Sequence, residues 1–210
     1  IPLMAVAQPN KGKVRPVLDY RQLNQHIKGM PGADVDICGE KLREWRRRGD
    51  KVEMLDLRKA YLQLHIPEEL QHHQAVRFDG QTYVLTRLGF GLASAPKIMS
   101  KVLGKVLSLR EDVRMGTDSY IDDIMVDTTV VTSATVRSHL EQFGLVTKDP
   151  VPLKEARVLG LKVYPESESG ELGWKRDNPL PEMVSSLTKR QVFSICGQLV
   201  SHYPVVNWLR

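Results

Sequence analysis

Two adjacent carboxylates, Asp122 and Asp123, lie inside an otherwise apolar run from Tyr120 to Val126. Neighbouring like charges repel, so burying them even halfway is costly unless a cation sits between them. Neither His nor Cys stands beside them, and an all-oxygen donor set suits Mg2+ rather than zinc. The chemistry on offer is metal-assisted handling of phosphates. The run reads as two short strands with the acids at the bend, and a solvated Asp-Asp turn is the simpler account of this stretch taken alone. A two-metal site also needs an acid from a distant part of the chain. Asp56, near the end of the strand-like Val52-Glu-Met-Leu-Asp-Leu57, is the best placed; its alternative is a helix N-cap.

The elements that would position these acids are legible around them. Residues 13 to 20 read as extended, with Pro16 marking an edge strand. Residues 40 to 48 read as a short helix stopped by Gly49. Asp79-Gly80, between two strand-like runs at 75 to 78 and 81 to 85, is a strong hairpin signal. Ser94 is placed to cap a helix that tolerates Pro96 in its first turn, and Ile98, Val102, Val106 and Leu109 give it an apolar face. A second helix is expected over 133 to 143, with Val136, Leu140 and Phe143 inward and Gly144 as its stop. Residues 157 to 164 read as a strand containing Gly160. The polar stretch from Ser167 to Gly173 is the expected subdomain boundary. Thr188 and Gln191 then have capping-box spacing ahead of a helix with Val192, Ile195 and Leu199 on its apolar face. Hairpins mixed with helices point to α+β with antiparallel sheet.

The 210 residues are 41% hydrophobic and 26% charged, which suffices for a real core and room for two subdomains. No apolar run reaches membrane-spanning length, and Ile1 opens no signal peptide. Cys38 and Cys196 make no disulfide framework and the six histidines no zinc pattern, so a reducing intracellular setting is expected. The net charge of +5 permits a polyanionic partner. It is concentrated at Lys11, Lys13, Arg15 and Arg21, and at Arg43, Arg46, Arg47 and Arg48, where a solvated face is the plain alternative. Trp45, beside the second cluster, could stack on a template base, but a half-buried helix tryptophan is the preferred reading. The opening without Met and the amphipathic pattern at the end are expected of a piece of something longer.

Asp56-Leu-Arg-Lys-Ala-Tyr61, Leu88-Gly-Phe-Gly-Leu-Ala-Ser-Ala-Pro96 and Tyr120-Ile-Asp-Asp123 resemble, in order, the motifs of a reverse transcriptase. Upstream, Val14-Arg-Pro-Val-Leu-Asp-Tyr-Arg-Gln-Leu-Asn24 fits the same pattern. Downstream, Val158-Leu-Gly-Leu-Lys162 looks like the primer-grip hairpin. The resemblance covers nearly the whole chain. It is closest to LTR retrotransposons, and Leu187-Thr-Lys-Arg-Gln-Val-Phe193 is most similar to the Bel-Pao group. Each motif alone is weak; together in register they are strong.

The resemblance implies a right-hand polymerase: an antiparallel palm backed by helices, with fingers and a partial thumb. Fingers would span 1–50 and 63–92, palm 51–62 and 93–167 with the primer grip, and the start of the thumb 168–210. The implied activity is RNA-directed DNA polymerisation by two-metal phosphoryl transfer. Asp56, Asp122 and Asp123, with the Leu57 backbone, would hold two Mg2+ ions, with Mn2+ as a substitute. Lys13, Arg15, Arg58, Lys59, Ala60, Tyr61 and Phe90 would contact the nucleotide, and Lys11 is the alternative to Lys13. Tyr61 would close the sugar pocket against a 2′-hydroxyl. Phe90 stands where retroviral enzymes often carry Gln, replacing a hydrogen bond with packing; Arg58 and Lys59 also depart from the retroviral pattern. Tyr120, Leu159, Gly160, Gly197 and Gln198 would meet primer and template. The implied partners are dNTPs and an RNA or DNA template with its primer, with no membrane, and protease, RNase H and integrase elsewhere on a polyprotein. The implied setting is cytoplasmic and particle-associated. The alternatives are an inactive or domesticated domain that only binds nucleic acid, a structural module with no ligand, which would leave the apposed acids unexplained, and a viral RNA-dependent RNA polymerase. The last typically carries Gly-Asp-Asp and lacks the aromatic sugar gate.

Overall fold

The computed structural model describes residues 1–8, 12–28, 41, 44–45, 47–48, 51–158, 161–165, 172–175 and 186–200, the side chains of 165, 172 and 198–200 apart. In chain order, β1 (Leu3–Gln8) and β2 (Lys13–Leu18) form an antiparallel hairpin in which Pro16 faces Ala5. Among the described residues β2 pairs only with β1, as Pro16, which has no N–H to donate, allows. Residues 41, 44, 45 and 47 are helical, in line with the expectation for 40–48. β3 (Val52–Asp56) leads through a short turn of 3-10 helix, Ala60–Gln63, to the hairpin of β4 (Ala75–Phe78) and β5 (Gln81–Val84). Asp79 (φ 48°) and Gly80 (φ 74°) both take left-handed backbone at its tip, the geometry of the tight turn their sequence signals.

α1 (Ala95–Ser108) and α2 (Glu111–Gly116) precede β6 (Thr117–Tyr120) and β7 (Asp123–Asp127). α3 (Ser133–Gln142) follows, then β8 (Val151–Pro152). β9 (Arg157–Val158), β10 (Leu161–Pro165) and β11 (Leu172–Lys175) form a three-stranded antiparallel sheet. The region expected as one strand over 157 to 164 is therefore a hairpin, and β10–β11 pairing carries hydrogen bonding across the polar stretch 166–171. α4 (Lys189–Val200) closes the described chain behind its capping box: Thr188 N–H donates to Gln191 Oε1 at 2.8 Å, and Gln191 N–H to Thr188 Oγ1 at 3.3 Å.

The central sheet is antiparallel in the order β6-β7-β3-β8, and both of its faces are covered. Leu55, Leu57, Ile124 and Val126 pack against Met99, Leu103, Val136 and Leu140 from α1 and α3. On the opposite face Val52, Met54 and Met125 meet Trp45, Leu153, Val158 and Leu161. Burial on both faces explains why β3 and β7 are nearly continuous apolar runs rather than alternating ones. A third cluster, around Tyr20, Leu88, Leu92 and Ala95, joins the hairpins to α1. Gly89 is obligatory there, because a Cβ would fall 2.0 Å from the hydroxyl of Tyr20, which donates to Gln74 at 2.9 Å.

Three details correct the sequence expectations. Ser94 is already in helical backbone conformation and makes no side-chain cap. The buried stripe of α1 runs through Ala95, Met99, Leu103 and Val106, so Leu109, half exposed at its end, lies outside it. Phe143 is 48% exposed, and His139 takes the inward place after Val136, its Nε2 lying 2.8 Å from the Val106 carbonyl oxygen. Among the described residues, no helix is long and apolar enough to cross a membrane.

Candidate active site

The acids are brought together by strand register. Asp56, the last residue of β3, is the direct cross-strand partner of Asp123, the first residue of β7. Tyr120, at the end of β6, faces Asp123 from the other side. Ile121 at the bend has φ 57°, a left-handed conformation uncommon for a β-branched residue, and it sets Asp122 at the tip. The Asp122 carbonyl accepts from Leu57 N–H at 3.4 Å, which ties the bend to the strand bearing Asp56.

Crowding shows in the electrostatics. Burial pushes the Asp123 carboxyl up to about 6, assisted by the charges of Asp122 and Asp56 and opposed by Lys148. Asp122 is raised as well, chiefly by burial and then by Asp56, while its own backbone hydrogen bond and Lys148 lower it. Burial, with Asp122 second, raises the phenol of Tyr61. Lys148 Nζ sits 2.5 Å from Asp56 Oδ2. Among the described residues, no group of three His, Cys, Asp or Glu side chains converges on one metal position. The donor set nevertheless fits a divalent cation: three hard carboxylates at adjoining strand ends, two of them with raised affinity for protons, gain from positive charge placed between them. Lys148 supplies part of that charge by its pairing with Asp56.

Around the acids, Tyr61 and Phe90 rings lie 5.5 Å apart and the Arg15 guanidinium carbon is 5.7 Å above the Phe90 ring. Arg15, Phe90, Tyr61 and Asp122 thus form a chain from the first hairpin to the central sheet, and Phe90, 66% exposed, presents an open aromatic face. Lys13 is exposed at the start of β2, opposite Gln8 at the turn end of the hairpin. Arg58 is tied down: its N–H donates to Val146 O at 2.9 Å and its Nε to Thr147 O at 3.0 Å. Lys59 is exposed and left-handed (φ 49°), and Ala60 is buried in the core below it. Tyr120 is half-buried against the second core cluster. Gly197 lies on α4 with open space where a Cβ would be. Leu159, Gly160, Lys11, Arg43, Arg46 and the side chain of Gln198 lie outside the described residues.

Trp45 is fully buried rather than half-buried, and its Nε1 donates to Asp118 Oδ2 at 2.7 Å, which removes it as a stacking surface. Lys41 pairs with the other oxygen of Asp118, and Arg48 reaches Asp127 at 3.3 Å. Sequence reasoning missed Lys148. It lies in a polar stretch before Asp149-Pro150, and backbone pairing of residues 146–148 with 56–58 delivers it to Asp56.

The fold is that of a reverse transcriptase polymerase domain. The family model for reverse transcriptase (RNA-dependent DNA polymerase) matches residues 6–146, and the chain belongs to that family. A second model, for a domain of unknown function, matches residues 188–210. Two solved structures of foamy viral protease-reverse transcriptase, each in complex with double-stranded DNA, share the fold. One has TM-score 0.71 and 21% identity, covering 96% of this chain and 35% of the viral one. The other has TM-score 0.72 and 23% identity, covering 95% and 42%. Uncharacterized protein K02A2.6 of Caenorhabditis elegans is 28% identical over 131 residues, 60% of this chain and 10% of that protein. The chain thus spans about a tenth of the curated relative it matches.

Proposed function

We propose that the chain is the polymerase region of an LTR-retrotransposon reverse transcriptase, adding deoxynucleotides to a primer 3′ end on an RNA or DNA template. The observation that carries this reading is the register pairing of Asp56 with Asp123, with Asp122 at the adjoining bend, in a chain of the reverse transcriptase family. Two Mg2+ ions, or Mn2+ in their place, when bound supply the Lewis acidity that activates the primer hydroxyl and neutralises the leaving pyrophosphate. Asp56, Asp122 and Asp123 hold them, beside the Leu57 backbone.

The remaining roles follow from side chains. Arg15, at the far end of the aromatic chain, meets the negative charge of the incoming triphosphate, with Lys13 beside it on the hairpin. Tyr61 and Phe90 form an apolar wall where the sugar would lie, and a 2′-hydroxyl against that wall would lose its water without gaining a partner. Lys148 offsets the acids' mutual repulsion through Asp56. Tyr120, Leu159 and Gly160 would border the primer, and α4 with Gly197 and Gln198 the duplex. Residues 1–50 and 63–92 would be fingers, 51–62 and 93–167 palm, and 168–210 the start of the thumb. Protease, RNase H and integrase regions would lie elsewhere on the same polyprotein, in cytoplasmic particles.

Primer extension with poly(rA), oligo(dT), dTTP and Mg2+ tests this reading, run on the chain and on the chain continued into its native downstream sequence. Extension by either is the expected result. Duplex binding without extension in both would instead identify an inactive, nucleic-acid-binding descendant.

A further inference from the structure

The turn that follows Asp56 is under strain: Lys59, which carries a full side chain, holds φ at 49°. A side chain four residues further on holds it. Gln63 Nε2 donates to the Arg58 carbonyl at 2.5 Å and to the Val146 carbonyl at 2.9 Å, and Val146 N–H donates back to Gln63 Oε1 at 2.6 Å. The amide of Gln63 therefore meets both the donor and the acceptor of one backbone residue, as a neighbouring strand would, across 83 residues of chain.

This side-chain pairing completes a very short ladder. Lys148 N–H donates to Asp56 O at 2.8 Å, Leu57 bridges Thr147, and Arg58 N–H donates to Val146 O at 2.9 Å. Beyond Arg58 the main chain turns away into the 3-10 helix, and Gln63 continues the pairing from there. The segment bearing Lys148 and the turn from Arg58 to Ala60 are in this way fixed to one another and to Asp56.

We propose that Gln63 is a positioning residue: it sets the backbone of residues 58–60 and the ammonium of Lys148 relative to the acids, and so sets nucleotide affinity without touching the nucleotide. This inference rests on the polymerase reading above and on the expectation from the sequence that Arg58, Lys59 and Ala60 border the nucleotide. The chemistry of the side chain makes it specific. Glu in its place keeps an acceptor for Val146 N–H but has no donor for the carbonyls of Arg58 and Val146, and Ala removes both halves.

The test combines amide hydrogen exchange with single-nucleotide extension kinetics on the wild type, Gln63→Ala and Gln63→Glu. Exchange at Arg58 and Val146 should speed up by about tenfold in the Ala variant, and KM for dTTP should rise by about tenfold, as expected for about 1.4 kcal/mol of lost positioning. The value of kcat and the affinity for primer-template duplex should stay near wild type. Gln63→Glu should protect the Val146 amide yet still raise KM, which a merely structural acceptor would not do. Unchanged exchange in both variants would overturn the clamp. Faster exchange with unchanged KM would overturn its positioning role. Should Gln63→Ala fail to fold, Gln63→Leu, which removes both donor and acceptor while keeping most of the side-chain volume, takes its place in both measurements. A wild type that extends no primer would remove the polymerase reading and the nucleotide half of this inference, while the exchange data would still report whether the clamp exists.

Discussion

Asp123 has its carboxyl raised from 3.8 to about 6, first by burial and then by two neighbouring acids. Between those values Asp123 binds more protons in the folded chain than in the unfolded one, so its contribution to stability falls as pH rises through this window. Asp123→Asn should remove that contribution and stabilise the metal-free protein at pH 7 by about 1 kcal/mol, allowing for solvent screening. Urea midpoints at pH 4 and pH 7 measure it; a variant no more stable than wild type at pH 7 would remove the account. Tyr61 poses a different question. If its ring closes the sugar pocket with Phe90, Tyr61→Ala should raise ribonucleotide incorporation relative to deoxynucleotide by about tenfold or more. Unchanged discrimination would remove the gate. At this scale the adjacent pair Asp122-Asp123 was legible locally, whereas Asp56 was singled out as a strand-end acid and Tyr61 by the resemblance, and the register sets Asp56 opposite Asp123. The sequence was silent on Lys148 and Gln63, whose significance comes from a few backbone bonds between segments about 80–90 residues apart, and no local pattern encodes such a meeting.

The elements carry their own predictions. Trp45, among the helical residues 41, 44, 45 and 47, packs on the back of the central sheet, filling a buried site and reaching Asp118. Trp45→Phe keeps most of the packing and should cost about 1 kcal/mol for the lost hydrogen bond, whereas Trp45→Ala should cost about 3–5 kcal/mol. Thermal unfolding of both separates anchoring from simple burial, and equal losses would refute it. Thr147, beside Lys148, has a buried hydroxyl with no hydrogen-bond partner. Thr147→Val should therefore raise Tm by about 2–4 °C, and a lower Tm would show that the hydroxyl is satisfied in solution. Strands and hairpins were legible because Asp79-Gly80 and the apolar runs act locally. The inward stripe of α1 and the exposure of Phe143 were less so. Which face of a helix is covered depends on the elements packed against it, and Met99 and Leu103 rather than Ile98 and Val102 meet the sheet.

At the scale of the molecule, a sheet buried on both faces carries its acids at one end, with the hairpins and their aromatic chain beside them. The order of the motifs made this architecture legible before any coordinates, since acids from β3 and β7 can meet only if those strands are neighbours. Their register could not be read in advance, and it is the register that sets Asp56 opposite Asp123. The central claim is that these acids hold the metals of a primer-extending polymerase, and Asp122→Asn tests it most directly, because it removes one charge from the bend without changing volume. Extension of oligo(dT) on poly(rA) with Mg2+ and binding of the same duplex should be measured in parallel for wild type and variant. The account predicts wild-type extension, loss of extension by about a thousandfold or more in the variant, and duplex affinity within about twofold of wild type. Extension retained by Asp122→Asn would contradict it.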